Sequence, residues 1–352
     1  MTDVLEGPVL VFRQGALGRI KLNRPKALNS LNTEMAGIIS RALDRFEAEG
    51  GVVAVLLDGA GDRGLCAGGD IREMYEAVRA GTDGAARFLR AEYELNARIA
   101  RFAKPFIAIM DGIVMGGGIG LSVHGRHRIV TERSRLAMPE VSIGFVPDVG
   151  ATWYLAKAPG ELGTYLALTG ESFAAGDAIQ LGFADMMIPT GRLDELVETL
   201  VKVSSADEIE TILEDFEEPA QGIVLPAYRD EIDAAFLHDD AESIVAALDR
   251  SVTAFAQETR ETILAKCPMS VKLALRLVRL ARNASTVEEC LLNEYRAGVH
   301  AIQRPDFLEG VRAAIVDKDR KPRWEPAELS AISDDEVARC FEPLAEEPQF
   351  RR

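Results

Sequence analysis

The chain has 352 residues, 47% of them hydrophobic, with 40 basic against 56 acidic side chains and a formal net charge of −16. This length supports one large domain or two smaller ones with a real core. The charge argues against nucleic acid or an anionic membrane surface as partner, while leaving room for a local basic patch toward a phosphorylated ligand.

Four scattered cysteines (Cys66, Cys267, Cys290, Cys340) form no CxxC pair. Neither a zinc framework nor a disulfide scaffold is therefore expected, and a reducing, cytoplasmic setting is. The first ten residues, MTDVLEGPVL, lack a basic and then apolar pattern and are expected not to be a secretory leader. No apolar run approaches the length of a membrane span.

Val9–Phe12 and Arg19–Leu22 are expected to pair as a hairpin about Gly15 and Gly18. After the loop Asn23-Arg24-Pro25-Lys26-Ala27-Leu28-Asn29, Asn32 or Thr33 caps a helix. Its Met35, Ile38, Ile39, Ala42, Leu43 and Phe46 make one apolar stripe. Val52–Leu57, VVAVLL, is a continuous apolar run of strand length, the pattern of a strand covered on both faces. The loop Cys66-Ala67-Gly68-Gly69-Asp70 follows, and Ile71 opens a helix. Pro105–Met110 repeats the scheme ahead of Gly116-Gly117-Gly118 and a short helix, and Arg128–Val130 and Leu136–Met138 are shorter strands. Strand, glycine loop and helix, twice over, argue for an α/β core. From about Gly191 helical stripes take over: Leu193/Leu196/Val197/Leu200, Ile209/Ile212/Leu213/Phe216 and Val252/Phe255/Thr259/Ile263. Ser270 is expected to cap a helix carrying Leu273, Leu277, Val278 and Leu280. The charged, Pro-rich residues from Asp317 onward are expected to wrap the surface. The reading divides the chain into a core over 1–190 and a helical extension and C-terminal cap over 191–352.

Each glycine loop lies between a buried strand and a helix. Glycine lets backbone N–H groups approach a ligand, and the helix N-terminus adds partial positive charge. Such loops suit tight packing or phosphate binding, and equally two N–H donors aimed at one carbonyl oxygen. The dinucleotide fingerprint fails, because Leu121 stands where its third glycine would be, and no GxxxxGK[ST] occurs. Ser122, in Gly120-Leu121-Ser122-Val123-His124, lacks the second glycine of a nucleophile elbow and reads as packing. His124 and His127 have no nearby third ligand and read as structural. The acids that stand out are Glu140 and Asp148 in LAMPEVSIGFVPDVGATW, an apolar stretch punctuated by Pro and Gly where an idle carboxylate is costly. By spacing alone Asp148 reads first as the cap of a helix from about Val149. Glu140 reads as an acid, base or nucleophile, or as an arginine's partner. Glu92, in Glu92-Tyr93-Glu94, reads as a solvated helix residue.

Cys66-Ala67-Gly68-Gly69-Asp70-Ile71, Met115-Gly116-Gly117-Gly118 and Met138-Pro139-Glu140 together resemble the crotonase (enoyl-CoA hydratase/isomerase) superfamily. Residues 23–29 resemble its CoA-cradling loop, and the likeness runs from about Val9 to Pro189. It implies a crotonase-like spiral of ββα units, an acyl-CoA substrate and no metal or redox cofactor, CoA being part of the substrate. It implies that the amides of Gly69 and Gly117 hold the thioester oxygen, with Ala27, Leu28, Ala67 and Asp70 in the substrate site. It also implies assembly as a trimer or hexamer. The second glutamate of the hydratases would fall at position 120, which is Gly120.

Several further segments resemble the 3-hydroxyisobutyryl-CoA hydrolases of that superfamily, over nearly the whole chain. They are residues 115–125, Glu92-Tyr93, Pro147-Asp148-Val149-Gly150, Asn293-Glu294-Tyr295-Arg296, residues 306–313, Asp317-Lys318-Asp319 and Pro322-Arg323-Trp324. This second resemblance implies Glu140 and Asp148 as catalytic acids, Glu92 as a substrate-site residue, and thioester cleavage in valine breakdown. The alternatives are an enoyl-CoA hydratase or isomerase, a non-catalytic CoA-binding member of the fold, and a serine hydrolase built on Ser122.

Overall fold

The structure, a computed structural model, describes residues 7–350. Six of the ten residues read for a leader therefore lie outside the described residues. β1 (Val9–Gln14) and β2 (Leu17–Leu22) form the expected hairpin, with Val9 opposite Leu22 and Gln14 opposite Leu17. Gly15, at φ +58°, makes the turn. Gly18 does not: it lies inside β2 under the Phe46 ring, where a Cβ would stand 2.6 Å from ring carbons.

The two apolar runs become β3 (Ala54–Gly59) and β4 (Phe106–Met110). Five shorter strands follow: β5 (Ile113–Met115), β6 (His127–Val130), β7 (Arg135–Ala137), β8 (Phe173–Ala174) and β9 (Met186–Met187). One sheet runs β1-β2-β3-β4-β6-β9, parallel except for the hairpin, and β5-β7-β8 forms a second. The chain thus climbs as a spiral. Two strands of the first sheet are each followed by a short one in the second layer, β4 by β5 and β6 by β7. After β3 that second layer shrinks to Cys66, a single bridge to Val114. Elements of one to three residues are too short to show a period, so the sequence reads as strand, loop and helix where a second strand intervenes.

The first helices are α1 (Thr33–Ala48), α2 (Ile71–Arg79), α3 (Gly84–Ala100), α4 (Gly117–Ser122), α5 (Ala151–Lys157), α6 (Leu162–Thr169) and α7 (Ala175–Gln180). Asn32 caps α1, its side chain accepting from the Met35 N–H at 3.0 Å. The later helices are α8 (Leu193–Leu200), α9 (Asp207–Phe216), α10 (Arg229–Phe236), α11 (Ala241–Arg250), α12 (Ala254–Ala265), α13 (Pro268–Ala281), α14 (Val287–Ile302), α15 (Pro305–Val311) and α16 (Asp334–Arg339). α13 starts earlier than expected. Pro268 takes its first position, where a missing N–H costs nothing, and Ser270 is buried in the first turn rather than capping it.

The first sheet is buried on both faces with the period of two that strands impose. Val55, Leu57, Phe106, Ala108 and Met110 point into the larger core, which takes in side chains from Val9 to Cys340. Ala54, Leu56, Ile107, Ile109 and Ile129 point the other way, under Leu196 and Leu200 of α8 and Ile209, Leu213 and Phe216 of α9. Each fully buried aliphatic side chain is worth about 1.5–3 kcal/mol, so these helices keep the back of the sheet dry. The tail wraps the surface as expected. Ile332 and Val337 are buried, the Ile332 carbonyl accepts from Lys272 Nζ at 2.8 Å, and Glu346 and Glu347 pair with Arg90 and Arg296 at 2.6 and 2.7 Å. Among the described residues no helix is long and apolar enough to cross a membrane.

Candidate active site

Five segments, one of them carrying Ala314 and Ile315, meet around a cavity of about 310 Å³. The loop before α2 contributes Gly69, and the start of α4 contributes Gly117. α3 contributes Glu92, one helical turn after Phe88 on the same face. A 3-10 turn over Glu140–Ile143 presents Glu140, and the loop behind it presents Phe145 and Asp148. Phe88, Leu89, Ile143 and Ile315 supply much of the apolar wall, so a few polar groups converge in an otherwise greasy pocket.

The two glycine loops touch. Gly116 turns the chain at φ +47° and ψ −120°, a conformation that favours glycine, and a Cβ there would stand 2.7 Å from Glu140 Oε1. A Cβ on Gly117 would run into Glu92 Oε1 and lie 3.2 Å from the Gly69 nitrogen. Neither the Gly69 nor the Gly117 amide donates to a backbone carbonyl outside the regular elements, and Gly117 opens a helix, where the first N–H groups have no intrahelical acceptor. The two glycines thus stand side by side on the wall of the cavity that Glu92 and Glu140 also line.

The three acids are nearly sealed from water: Glu92 is 2% exposed, Asp148 4% and Glu140 7%. Glu92 Oε1 and Glu140 Oε2 have no hydrogen-bond partner. Burial raises the Glu92 carboxyl well above the ordinary carboxylate range, and the Asp148 charge adds to the effect. Glu140 is raised the same way, first by burial, then by Asp148, and also by Glu92. Asp148 is pushed up to about 8 by burial, although the Tyr93 hydroxyl donates to its Oδ2 at 2.7 Å and opposes the shift. Like charges in a dry site resist ionising together, so the three carboxyls give up their protons as a coupled set.

Asp148 is not a helix cap. Helix α5 begins at Ala151 behind Gly150, which is left-handed at φ +78°. The carboxylate serving its first turn is Glu294 of α14, which accepts from the Gly150 N–H at 2.6 Å, the Thr152 N–H at 3.1 Å and Thr152 Oγ1 at 2.5 Å. Between Asp148 and Gly150, Val149 sits at φ +56°, an unfavourable conformation for a β-branched residue. Its carbonyl accepts from His124 Nε2 at 2.8 Å. The Val149 side chain occupies the space beside Gly120, where a Cβ would stand 2.5 Å from Val149 Cβ and 2.8 Å from Asn96 Nδ2. A glutamate at 120 has no room.

The other nucleophile candidate is committed elsewhere, since the buried Ser122 Oγ donates to the Gly118 carbonyl at 2.8 Å. His127 lies on β6, away from the His124 contact with Val149. Of the residues singled out from the sequence, Glu92, Glu140, Asp148, Gly69, Gly117 and Ala67 line one cavity. Ala27, Leu28 and Asp70 do not. Ala27 is exposed, the Leu28 carbonyl accepts from the Ala67 N–H at 3.0 Å, and Asp70 caps α2 while pairing with Arg24 at 3.0 Å. Tyr93, Val149 and Glu294 had drawn notice only within longer motifs. Their roles depend on contacts between residues 55 and 144 positions apart, which no local pattern carries.

The chain is similar to several known proteins over nearly its whole length. A family model described as enoyl-CoA hydratase/isomerase matches residues 17–341. Mitochondrial 3-hydroxyisobutyryl-CoA hydrolases from Gallus gallus and Homo sapiens are each 37% identical to this chain, covering 96% and 97% of it and 89% and 90% of their own lengths. The one from Danio rerio is 38% identical, over 98% of this chain and 92% of its own. Among solved structures, a carnitinyl-CoA dehydratase from Mycobacterium thermoresistibile superposes with a TM-score of 0.92 at 40% identity, over 98% of this chain and 99% of that one. An enoyl-CoA hydratase from Rhodobacter sphaeroides 2.4.1 gives 0.88 at 40% identity, over 96% and 98%. The relatives' names correct one expectation. They are mitochondrial, not cytoplasmic; scattered free thiols report a reducing environment but not which compartment provides it.

Proposed function

The chain belongs to the enoyl-CoA hydratase/isomerase family, and from that premise we propose that it hydrolyses 3-hydroxyisobutyryl-CoA to 3-hydroxyisobutyrate and CoA, a step of valine breakdown. The observation that carries the proposal is the company Glu140 keeps. It shares one cavity with Asp148 and two glycine amides, while Val149 fills the space at Gly120 where a hydratase's second glutamate would stand.

In this reading the thioester carbonyl enters with its oxygen toward the Gly69 and Gly117 N–H groups. Attack at the carbon puts negative charge on that oxygen, and the two fixed donors stabilise it; removing one such donor costs roughly 10²–10³ in rate. Two routes then balance. In one, the Glu140 carboxylate adds to the carbonyl carbon, the C–S bond breaks, the CoA thiolate leaves, and water opens the mixed anhydride. In the other, Glu140 takes a proton from water, the resulting hydroxide adds, and the thiolate leaves and is protonated. Asp148 holds the 3-hydroxyl of the acyl group or the attacking water, and Glu92 borders the same space. Neither route calls for a cofactor beyond the CoA that the substrate carries. A single turnover in ¹⁸O-water bears on the choice: label in the Glu140 carboxylate requires an anhydride opened at the glutamate carbon, whereas the general-base route leaves Glu140 unlabelled and puts all the label in the product.

The proposal is tested by thiol release over a panel of short acyl-CoA thioesters. The 3-hydroxyisobutyryl ester is expected to be cleaved fastest, and Glu140→Ala to lose at least roughly a thousandfold in kcat. A hydratase or isomerase reading is favoured by the names of the two solved structures at 40% identity; it predicts loss of enoyl absorbance without thiol release. The family likeness also supports assembly as a homotrimer or hexamer, which light scattering would contradict by returning the 38.3 kDa of a single chain.

A further inference from the structure

Helix α14 belongs to the extension, yet it stands directly behind the loop that carries Asp148. Glu294 on this helix is completely buried. Its two oxygens accept from three donors on the segment that follows Asp148: the Gly150 N–H, the Thr152 N–H and the Thr152 hydroxyl. That segment is poorly inclined to hold its shape unaided. Val149 is at φ +56° and Gly150 at φ +78°, and a β-branched residue persists in the left-handed region only where its surroundings over-determine it. The next residue on α14, Tyr295, meets the Tyr93 ring edge-on with centroids 6.0 Å apart, and Tyr93 is the residue whose hydroxyl binds Asp148. One turn further, Gly298 leaves room for Phe145 and Tyr93, which a Cβ there would approach to 3.1 and 3.6 Å. One helix therefore grips the Asp148 loop from its backbone side and, through Tyr93, from its carboxyl side.

We propose that Glu294 is a positioning residue for Asp148: by clamping the backbone of residues 150–152 from α14, it sets where the Asp148 carboxyl stands in the cavity. Its effect on turnover rests on the hydrolase reading; its effect on Asp148 itself does not. A carboxylate suits this place because every group facing its oxygens is a donor. An amide would turn its own N–H₂ toward one of them and break the set.

The groups around Glu294 decide what its charge does. Tyr93 faces it from α3, Asp148 and Glu140 from the cavity loops and Cys290 from its own helix, while His124 packs from beyond the end of α4 against Gly150. His124 is held neutral, its pKa lowered to about 4 by burial, so it offers no counter-charge at neutral pH. Burial lifts Glu294 to about 7 while its three donors pull it down, and its negative charge raises both Asp148 and Glu140. Clamp and charge therefore act on the same acid.

The test uses the full chain with Glu294→Gln. Two quantities are measured: the kcat and KM of thiol release as functions of pH, and the titration midpoint of Asp148 from the carboxyl infrared band that Asp148→Asn removes. The expected result is a fall in kcat of roughly 30- to 100-fold, the scale of a small misplacement at a reacting centre, with KM changed less than about threefold. The Asp148 midpoint moves downward from about 8. A merely structural role would lower the yield of folded protein without moving that midpoint. If Glu294→Gln does not fold, Thr152→Val decides. It removes one donor that lowers the Glu294 pKa, so Glu294 protonates more readily, the Asp148 midpoint falls, and kcat drops severalfold. A folded variant with wild-type kcat and an unmoved midpoint overturns the proposal. If the wild type releases thiol from no acyl-CoA, the hydrolase reading fails; the midpoint alone then decides, a downward shift supporting the clamp and an unchanged value overturning it.

Discussion

The fold resists a charge on Asp148. Its carboxyl is pushed up to about 8, against an ordinary value of about 4. Between those values the native state keeps a proton that the unfolded chain has released. Unfolding therefore becomes easier as pH rises, by about 1.4 kcal/mol per unit, until the folded carboxyl has ionised as well. Asp148→Asn removes that penalty. Thermal melts are predicted to show a higher Tm than wild type at pH 9, with the difference shrinking toward pH 5, while thiol release falls; a lower Tm at pH 9 would mean that Asp148 is stabilised in its charged form. The same variant strips a like charge from Glu140, so the acid limb of the residual kcat/KM profile is predicted to move to lower pH. Glu140 was legible in the sequence because a lone glutamate after Met-Pro, amid apolar residues, has little structural purpose. Asp148 was half legible: a Pro-Asp before a helix looks like a cap, and nothing nearby betrays that the cap comes from Glu294, 144 residues beyond Gly150. Glu92 was hidden by its charged neighbours, since α3 is buried on a face broad enough to take Glu92 and Tyr93 side by side.

At the level of elements, the long apolar strands and the stripe of α1 follow from composition and period, and the structure matches them to within two residues. The second-layer strands do not, and they are what holds the glycine loops together: β5 leads straight into Gly116, and the Cys66 bridge ties the first loop to Val114. The loops are consequently intolerant of side chains. Gly117→Ala is predicted to lose roughly 10²–10³ in kcat, since its methyl would displace Glu92 and the amide beside it. The check is kcat alongside a circular dichroism spectrum unchanged from wild type. Gly120→Glu, the substitution that would restore a hydratase's second acid, is predicted to lower Tm by several degrees and to add no enoyl-CoA hydration, because Val149 and Asn96 already occupy that space. Ser122→Ala is predicted to leave turnover within about threefold of wild type, as expected for a hydroxyl spent on a helix carbonyl.

For the whole molecule, the change in character near residue 190 is visible in the sequence, but what the later helices do is not. α8 and α9 close the back of the first sheet, and α13 and α14 pack against the helices around the cavity. Amphipathic stripes announce that a helix will be buried without naming the face it meets. That information lies in long-range pairs such as Arg90 with Glu346 or Glu294 with Gly150. Removing residues 284–352 would take away Leu291, Tyr295, Phe307 and Val311 and uncover the core they cover, Tyr93 and Phe145 included. The truncated chain is predicted not to give a cooperative thermal melt, and a sharp transition near the wild-type Tm would show that residues 284–352 are dispensable for folding.

Water directed at a thioester and water directed at a double bond leave an oxygen label in different places. Multiple turnovers of 3-hydroxyisobutyryl-CoA, and separately of the corresponding enoyl-CoA, in ¹⁸O-water would be followed by mass spectrometry of the products. The structure predicts ¹⁸O in the carboxylate of free 3-hydroxyisobutyrate together with free CoA, abolished by Glu140→Ala. Label on the third carbon of an acyl group still joined to CoA, with no free thiol, would contradict it.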